Sequence, residues 1–137
     1  MRPSFSCGAF LLLALIVSSC RGTERSTAEQ AAATAVQGLD RARRERSLDR
    51  LEQLRTALTR YAIDHDGAVP EGSSLGSVSA ELSPRYLPLV PAEDAWGNTM
   101  SYASDGRSYS IVSAGPDGET GTPDDLSLRD GAVHPGS

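Results

Sequence analysis

The chain contains no lysine. All 13 of its basic residues are arginine, against 18 acidic residues, for a net charge of −5 over 137 residues. A mildly acidic balance argues against a nucleic-acid partner, which would need a basic face for phosphates. The arginine bias itself carries no functional message. Aromatics make up 5% of the chain, so its core must be small and aliphatic. No apolar run is long: the longest, Ala9 to Val17, has nine residues and would rise about 14 Å as helix, half of a hydrocarbon layer. A spanning helix is excluded and the core of a signal peptide fits. Cysteine and histidine number two each. His65, between Asp64 and Asp66, reads as a metal ligand or, more simply, as a solvated helix end; His134 lies close to the last residue. No serine sits in a nucleophile elbow and no glycine loop is built to cradle phosphate. The chain therefore reads as no enzyme and as having no small-molecule substrate.

What is present begins at the N-terminus. Arg2 supplies a positive charge, the apolar run follows, and Val17-Ser18-Ser19-Cys20 resembles a bacterial lipobox. That resemblance implies that 1–19 is a lipoprotein signal peptide and that Cys20 is lipidated as the first mature residue. Cys7 would leave with the leader, so no disulfide is expected. An ordinary secretory signal with a chance cysteine is the other reading. The expected location is the bacterial cell envelope, with the domain in the periplasm on a lipid anchor. Arg21 after the cysteine leaves outer against inner membrane open.

Beyond a polar tether, Ser26-Thr27-Ala28-Glu29 fits a capping box. No proline occurs from Ala28 to His65, and Ala, Leu, Glu, Gln and Arg dominate, so a long helix is predicted. Its apolar stripe is Leu51, Leu54, Leu58, Tyr61 and Ala62. Val36 and Leu39 form a poorer patch, and Arg41 to Arg46 is polar all round. Residues 20–47 are thus expected as anchor, tether and solvated stalk, with a break near Ser47 as one option. Gly67 should end the helix in a left-handed conformation. The globular domain is expected over 48–130, with 69–76 as loop, a short helical turn before Pro84, and a frayed tail after Leu126 that leaves 131–137 flexible.

The organising stretch is Asp94 to Leu126. Trp96-Gly97-Asn98 is a turn that sets the only tryptophan beside a sheet, and Asp94 is placed to cap or brace it. Thr99 to Ala103 and Arg107 to Ser113 are β-prone runs joined by Ser104-Asp105-Gly106, a hairpin signal. Period two puts Met100 with Tyr102, and Tyr109 with Ile111 and Ser113. From Ala114 to Leu126, three glycines and two prolines exclude helix, yet Asp117, Glu119, Asp124 and Asp125 crowd together. Carboxylates on a freely turning backbone suit a hard cation such as Ca²⁺. The spacing is not that of an EF-hand, and a solvated acidic turn reads equally from composition.

Taken in order, Asp94, Trp96, Gly97, Asn98, Tyr102, Ser113, Gly115, Pro116, Asp117, Gly118, Gly121, Thr122, Asp124, Asp125 and Leu126 resemble the C-terminal region of the type II secretion major pseudopilins. Leu51 to Tyr61 resembles that family's helix, and Asp64 to Pro70 the turn that ends it. The resemblance implies an α+β fold: a long N-terminal α-helix packed on a small antiparallel β-sheet, with a C-terminal calcium-type loop. It implies a structural Ca²⁺ held by the side chains of Asp117, Asp124 and Asp125, with carbonyls of Ser113 and Thr122 as further candidates. It also implies protein partners among secretion-system components. The chain departs from the family at its start, where a cleavage after glycine is followed by an acidic residue and about twenty apolar ones. Here Gly8 is followed by apolar residues, with Leu13 where the acid would stand, and the run stops at Ser18. The expected function is therefore a lipid-anchored, pseudopilin-like component or accessory of type II secretion that acts by protein contact. An envelope lipoprotein that binds through the same fold, with no secretion role, is the alternative.

Overall fold

The computed structural model describes residues 20–135, and side chains within 27–134. The leader 1–19 lies outside the described residues. The chain divides at Val36/Gln37 into two units. The first contributes only the opening turns of helix α1 (Cys20–Asp64). Its side chains from Thr27 to Val36 are exposed. The helix already runs at Cys20, so the Ser26-x-x-Glu29 box lies inside it instead of starting it. It also passes Ser47 without a break.

In the second unit α1 buries Ser47, Leu51, Leu54 and Leu58, spaced four, three and four, which is one face of a 3.6-residue repeat. Its end is set by Gly67, at φ +86, whose N–H donates to the Ala62 carbonyl at 2.8 Å and satisfies an otherwise unpaired helix-end acceptor. Asp66 shares the left-handed turn at φ +52.

A five-stranded antiparallel meander packs against this face, in the order β1 (Gly72–Ser74), β2 (Ser101–Ser104), β3 (Tyr109–Ser113), β4 (Leu126–Arg129) and β5 (Ala132–Pro135). Together with the long helix this is the expected α+β arrangement. Alternation sends Tyr102, then Tyr109, Ile111 and Ser113, then Leu126 and Leu128 to the inner face. All but Ser113 join Leu51, Leu54, Ala57 and Leu58 in one hydrophobic cluster. A second helix, α2 (Leu75–Leu82), adds Leu75, Val78 and Leu82.

Two expectations are corrected. The segment expected as loop holds β1 and the start of α2. Ser74 caps that helix by accepting from the Ser77 N–H at 3.1 Å, and Leu75, Val78 and Leu82 keep helical spacing despite Gly76. The expected frayed tail after Leu126 is instead a hairpin, in which Arg129 pairs with Ala132 across Asp130-Gly131. Both turn residues are left-handed (φ +46 and +87), the pattern of a two-residue turn whose twist matches the strands. Asp130 also accepts from the Tyr109 N–H at 2.9 Å, which ties the turn to β3.

Candidate functional site

The site is the ground between α1, the Trp-Gly-Asn turn and the acidic loop. It is built around Asp94, which is 2% exposed. A buried carboxylate must find donors or lose its charge. Asp94 Oδ1 accepts from the backbone N–H of Trp96 (3.0 Å) and of Asn98 (2.9 Å), and Oδ2 accepts from the Ser113 hydroxyl (2.8 Å). The turn closes on itself as well, with Asp94 N–H to Asn98 carbonyl at 2.8 Å and Gly97 N–H to Asp94 carbonyl at 3.1 Å. Gly97 takes φ +93, which the tight turn requires. The Trp96 ring is half-buried against the core, and its indole N–H has no protein acceptor among the described residues.

Two residues that sequence reasoning passed over fix this turn to α1. Ser47, wholly buried, accepts from the Ala95 N–H at 3.0 Å, and Arg50 Nη1 donates to the Glu93 carbonyl at 2.6 Å. The signal for Ser47 was available: it occupies the position one turn before Leu51 on the buried stripe, where a hydroxyl must find a partner.

On the other side, Asn98 Nδ2 donates to the Gly115 carbonyl at 2.7 Å, joining the turn to the loop. At Gly115 (φ +64) a Cβ would come within 2.8 Å of the Asp124 carbonyl oxygen, so the two ends of the loop touch backbone to backbone there. Asp124 and Asp125 face one hydroxyl: Thr122 Oγ1 lies 2.7 Å from Asp124 Oδ1 and 3.4 Å from Asp125 Oδ1. Asp125, buried, also accepts the Gly121 N–H at 2.7 Å. Asp117 sends its Oδ1 to the Glu119 N–H at 2.9 Å, while its own N–H is 3.4 Å from Asp124 Oδ2. The Thr122 carbonyl accepts the Asp125 N–H at 3.2 Å. The Ser113 hydroxyl is committed to Asp94.

The oxygen-only donor set, two carboxylates about one hydroxyl with Asp117 adjacent, suits a hard cation by chemistry. Among the described residues, however, no three His, Cys, Asp or Glu side chains converge as a ready set of ligands. The loop's amides and Thr122 take up the carboxylate oxygens instead. Those contacts have an electrostatic signature. The Thr122 hydroxyl, aided by nearby backbone amides, holds the Asp124 carboxyl below its usual range.

Comparison with known proteins follows the same elements. The profile of the family described as Type II secretion system (T2SS), protein G matches residues 34–128. The Type II secretion system core protein G of Escherichia coli (strain K12) is 29% identical over 121 residues, a stretch covering 85% of this chain and 77% of that protein. No solved structure matches. The matched span takes in the helix from residue 34 onward, the turn, the β2–β3 hairpin and the acidic loop.

Two outcomes follow from this geometry. Asp94→Ala strands two part-buried N–H groups and a buried hydroxyl, and should cost about 2 kcal/mol or more in urea unfolding read by Trp96 fluorescence. Ser113→Ala, which removes one donor, should cost about 1 kcal/mol. An Asp94→Ala loss below that of Ser113→Ala would contradict the hub role.

The second outcome concerns acid. Because the folded-state carboxyl of Asp124 titrates lower than the unfolded one, its stabilisation is full above the unfolded value, near pH 4, and is lost as pH falls through the lower folded value. Melting points measured from pH 6 down to 2 should fall less steeply below pH 4 for Asp124→Asn than for the wild type. Identical acid limbs would remove Asp124 from the account.

Proposed function

This chain belongs to the type II secretion system protein G family, and from that premise we propose that it is a lipid-anchored, calcium-binding accessory of the secretion machinery that works by protein contact in the periplasm. The single observation that carries the reading is the family match over 34–128, which spans every element of the turn-and-loop site. Members of this family are components of the cell envelope. No helix of the described residues is long and apolar enough to cross a membrane. A lipid on Cys20 supplies an attachment consistent with that.

The calcium would be held by carboxylate oxygens of Asp117, Asp124 and Asp125, with carbonyls of Ser113 and Thr122 as further candidates. Bound there, it would offset the repulsion among carboxylates that otherwise depend on amides and one hydroxyl. Its part is structural: a loop of three glycines and two prolines has little core of its own, and ligand binding adds to its stability. No catalytic role is proposed. The chain would act through the surface that the ordered loop and the Trp96 turn present to other secretion components.

Calcium at 100 times its dissociation constant should add about 2.7 kcal/mol, raising the melting midpoint by roughly 8 °C or more. Asp124→Ala with Asp125→Ala should abolish the shift. An unmoved midpoint with both calcium and chelator would remove the cation.

Metabolic labelling with a tagged fatty acid tests the anchor. Cys20→Ala should lose the label and leave the membrane fraction. Deleting the gene should lower release of type II substrates, and restoring Cys20→Ala should recover only part of it. Undiminished secretion in the deletion strain would favour an envelope module outside secretion.

A further inference from the structure

Residues 41–50 of α1 carry five arginines, Arg41, Arg43, Arg44, Arg46 and Arg50, against Glu45 and Asp49, in a chain that is otherwise acidic. Arg43, Arg46 and Arg50 are spaced three and four and so lie along one side of the helix. Like charges at this spacing weaken a helix unless an anion relieves them. The anions at hand are few. Asp40 approaches Arg43 only to 3.8 Å with both side chains about half exposed. Arg50 uses one N–H on the Glu93 carbonyl. Arg46 is exposed and has no ion pair among the described residues. Glu45 and Asp49 lie toward the solvent side of the stripe.

One turn before Arg43, on the same line, stands Leu39, 59% exposed. A bare leucine in register with three guanidinium groups differs from an ordinary solvated helix face. Guanidinium forks match phosphate oxygens, and an apolar side chain beside them can enter the headgroup boundary.

We infer that the line Leu39–Arg43–Arg46–Arg50 is a docking stripe for an anionic phospholipid surface. It is distinct from any acyl anchor and from the acidic loop. The inference goes beyond the proposed function and does not need Cys20 to be lipidated. It commits to lipid because Leu39 lends the stripe an apolar member that simple charge pairing with an acidic protein would not use.

The test uses the full chain with Cys20→Ser, so that no acyl group contributes. Sedimentation is measured with vesicles of phosphatidylcholine alone and of phosphatidylcholine with phosphatidylglycerol. Pure phosphatidylcholine controls for insertion of the apolar leader. At low salt, binding should be at least tenfold stronger to the anionic vesicles and should weaken steeply as salt is raised. Each arginine at such a surface is worth about a fivefold change. Arg43→Glu with Arg46→Glu should therefore lose tenfold or more, and Leu39→Ser several-fold. Arg107→Glu makes the same kind of charge change away from the stripe and should bind as the parent chain does. The substituted positions on the stripe are exposed, and equal melting midpoints check that the fold is kept. Equal binding to both vesicle types overturns the inference, as does a loss in Arg107→Glu matching that of the double variant. If Cys20 labelling fails while anionic-vesicle binding holds, the anchor is wrong and the stripe stands.

Discussion

A carboxylate sealed inside a small domain is tolerable only when every oxygen is answered, and Asp94 is such a group. Its three donors come from two places: the turn it begins and strand β3. The same turn is held to α1 through Ser47 and Arg50, and to the acidic loop through Asn98. Helix, sheet and loop thus meet at one polar hub, while the aliphatic cluster of Leu51, Leu54, Leu58, Ile111, Leu126 and Leu128 supplies the bulk of the burial beside it. The division of labour is physical. Apolar contacts hold the helix against the sheet but leave it free to slide. The hydrogen bonds at Ser47 and Arg50 fix its position along its own axis.

This coupling bears on the acidic loop. With three glycines and two prolines it has little to bury beyond Asp125. Its shape comes from short links: Asn98 on the Gly115 carbonyl, Thr122 shared by Asp124 and Asp125, and Gly121 on Asp125. Asp124 is answered first by the Thr122 hydroxyl and then by backbone amides, and that is why it keeps its charge to lower pH than a free side chain does. Amides and the Thr122 hydroxyl relieve the repulsion between the carboxylates of Asp124 and Asp125. A cation would take the same oxygens and release the amides, so the two arrangements compete for one set of acceptors.

Much of this was legible in the sequence. The helix followed from an absence of proline and from leucines three and four apart. The β2–β3 hairpin followed from alternation about a glycine turn, and the helix stop from Gly67. The losses have specific causes. A break near Ser47 is one option because the arginine-rich stretch before it is polar on every side, yet the helix runs on and the place of Ser47 on the buried stripe makes it a tether. Gly76 hid α2, although Ser74 supplied the cap. Asp130-Gly131, between Leu126-x-Leu128 and Ala132-Val133, is a strong hairpin signal that was lost in the polar composition of the tail. Where the loop carboxylates would point could not be read, because glycine-rich backbone leaves direction to contacts made far off in sequence, with Asn98 above all.

The family match begins at residue 34 and the buried core begins at Ser47. The Ser47 hydroxyl, the Asp94 hub and the buried core as far as Leu128 therefore lie within the matched span, while Arg129, the β4–β5 turn and strand β5 lie beyond it. The side chains from Thr27 to Val36 are exposed and contribute nothing to that core. Selection on folding acts on positions whose replacement leaves a cavity or an unanswered polar group, and the start of this helix holds neither. The exposed side chains from Thr27 to Val36 are therefore free to vary without disturbing the sheet.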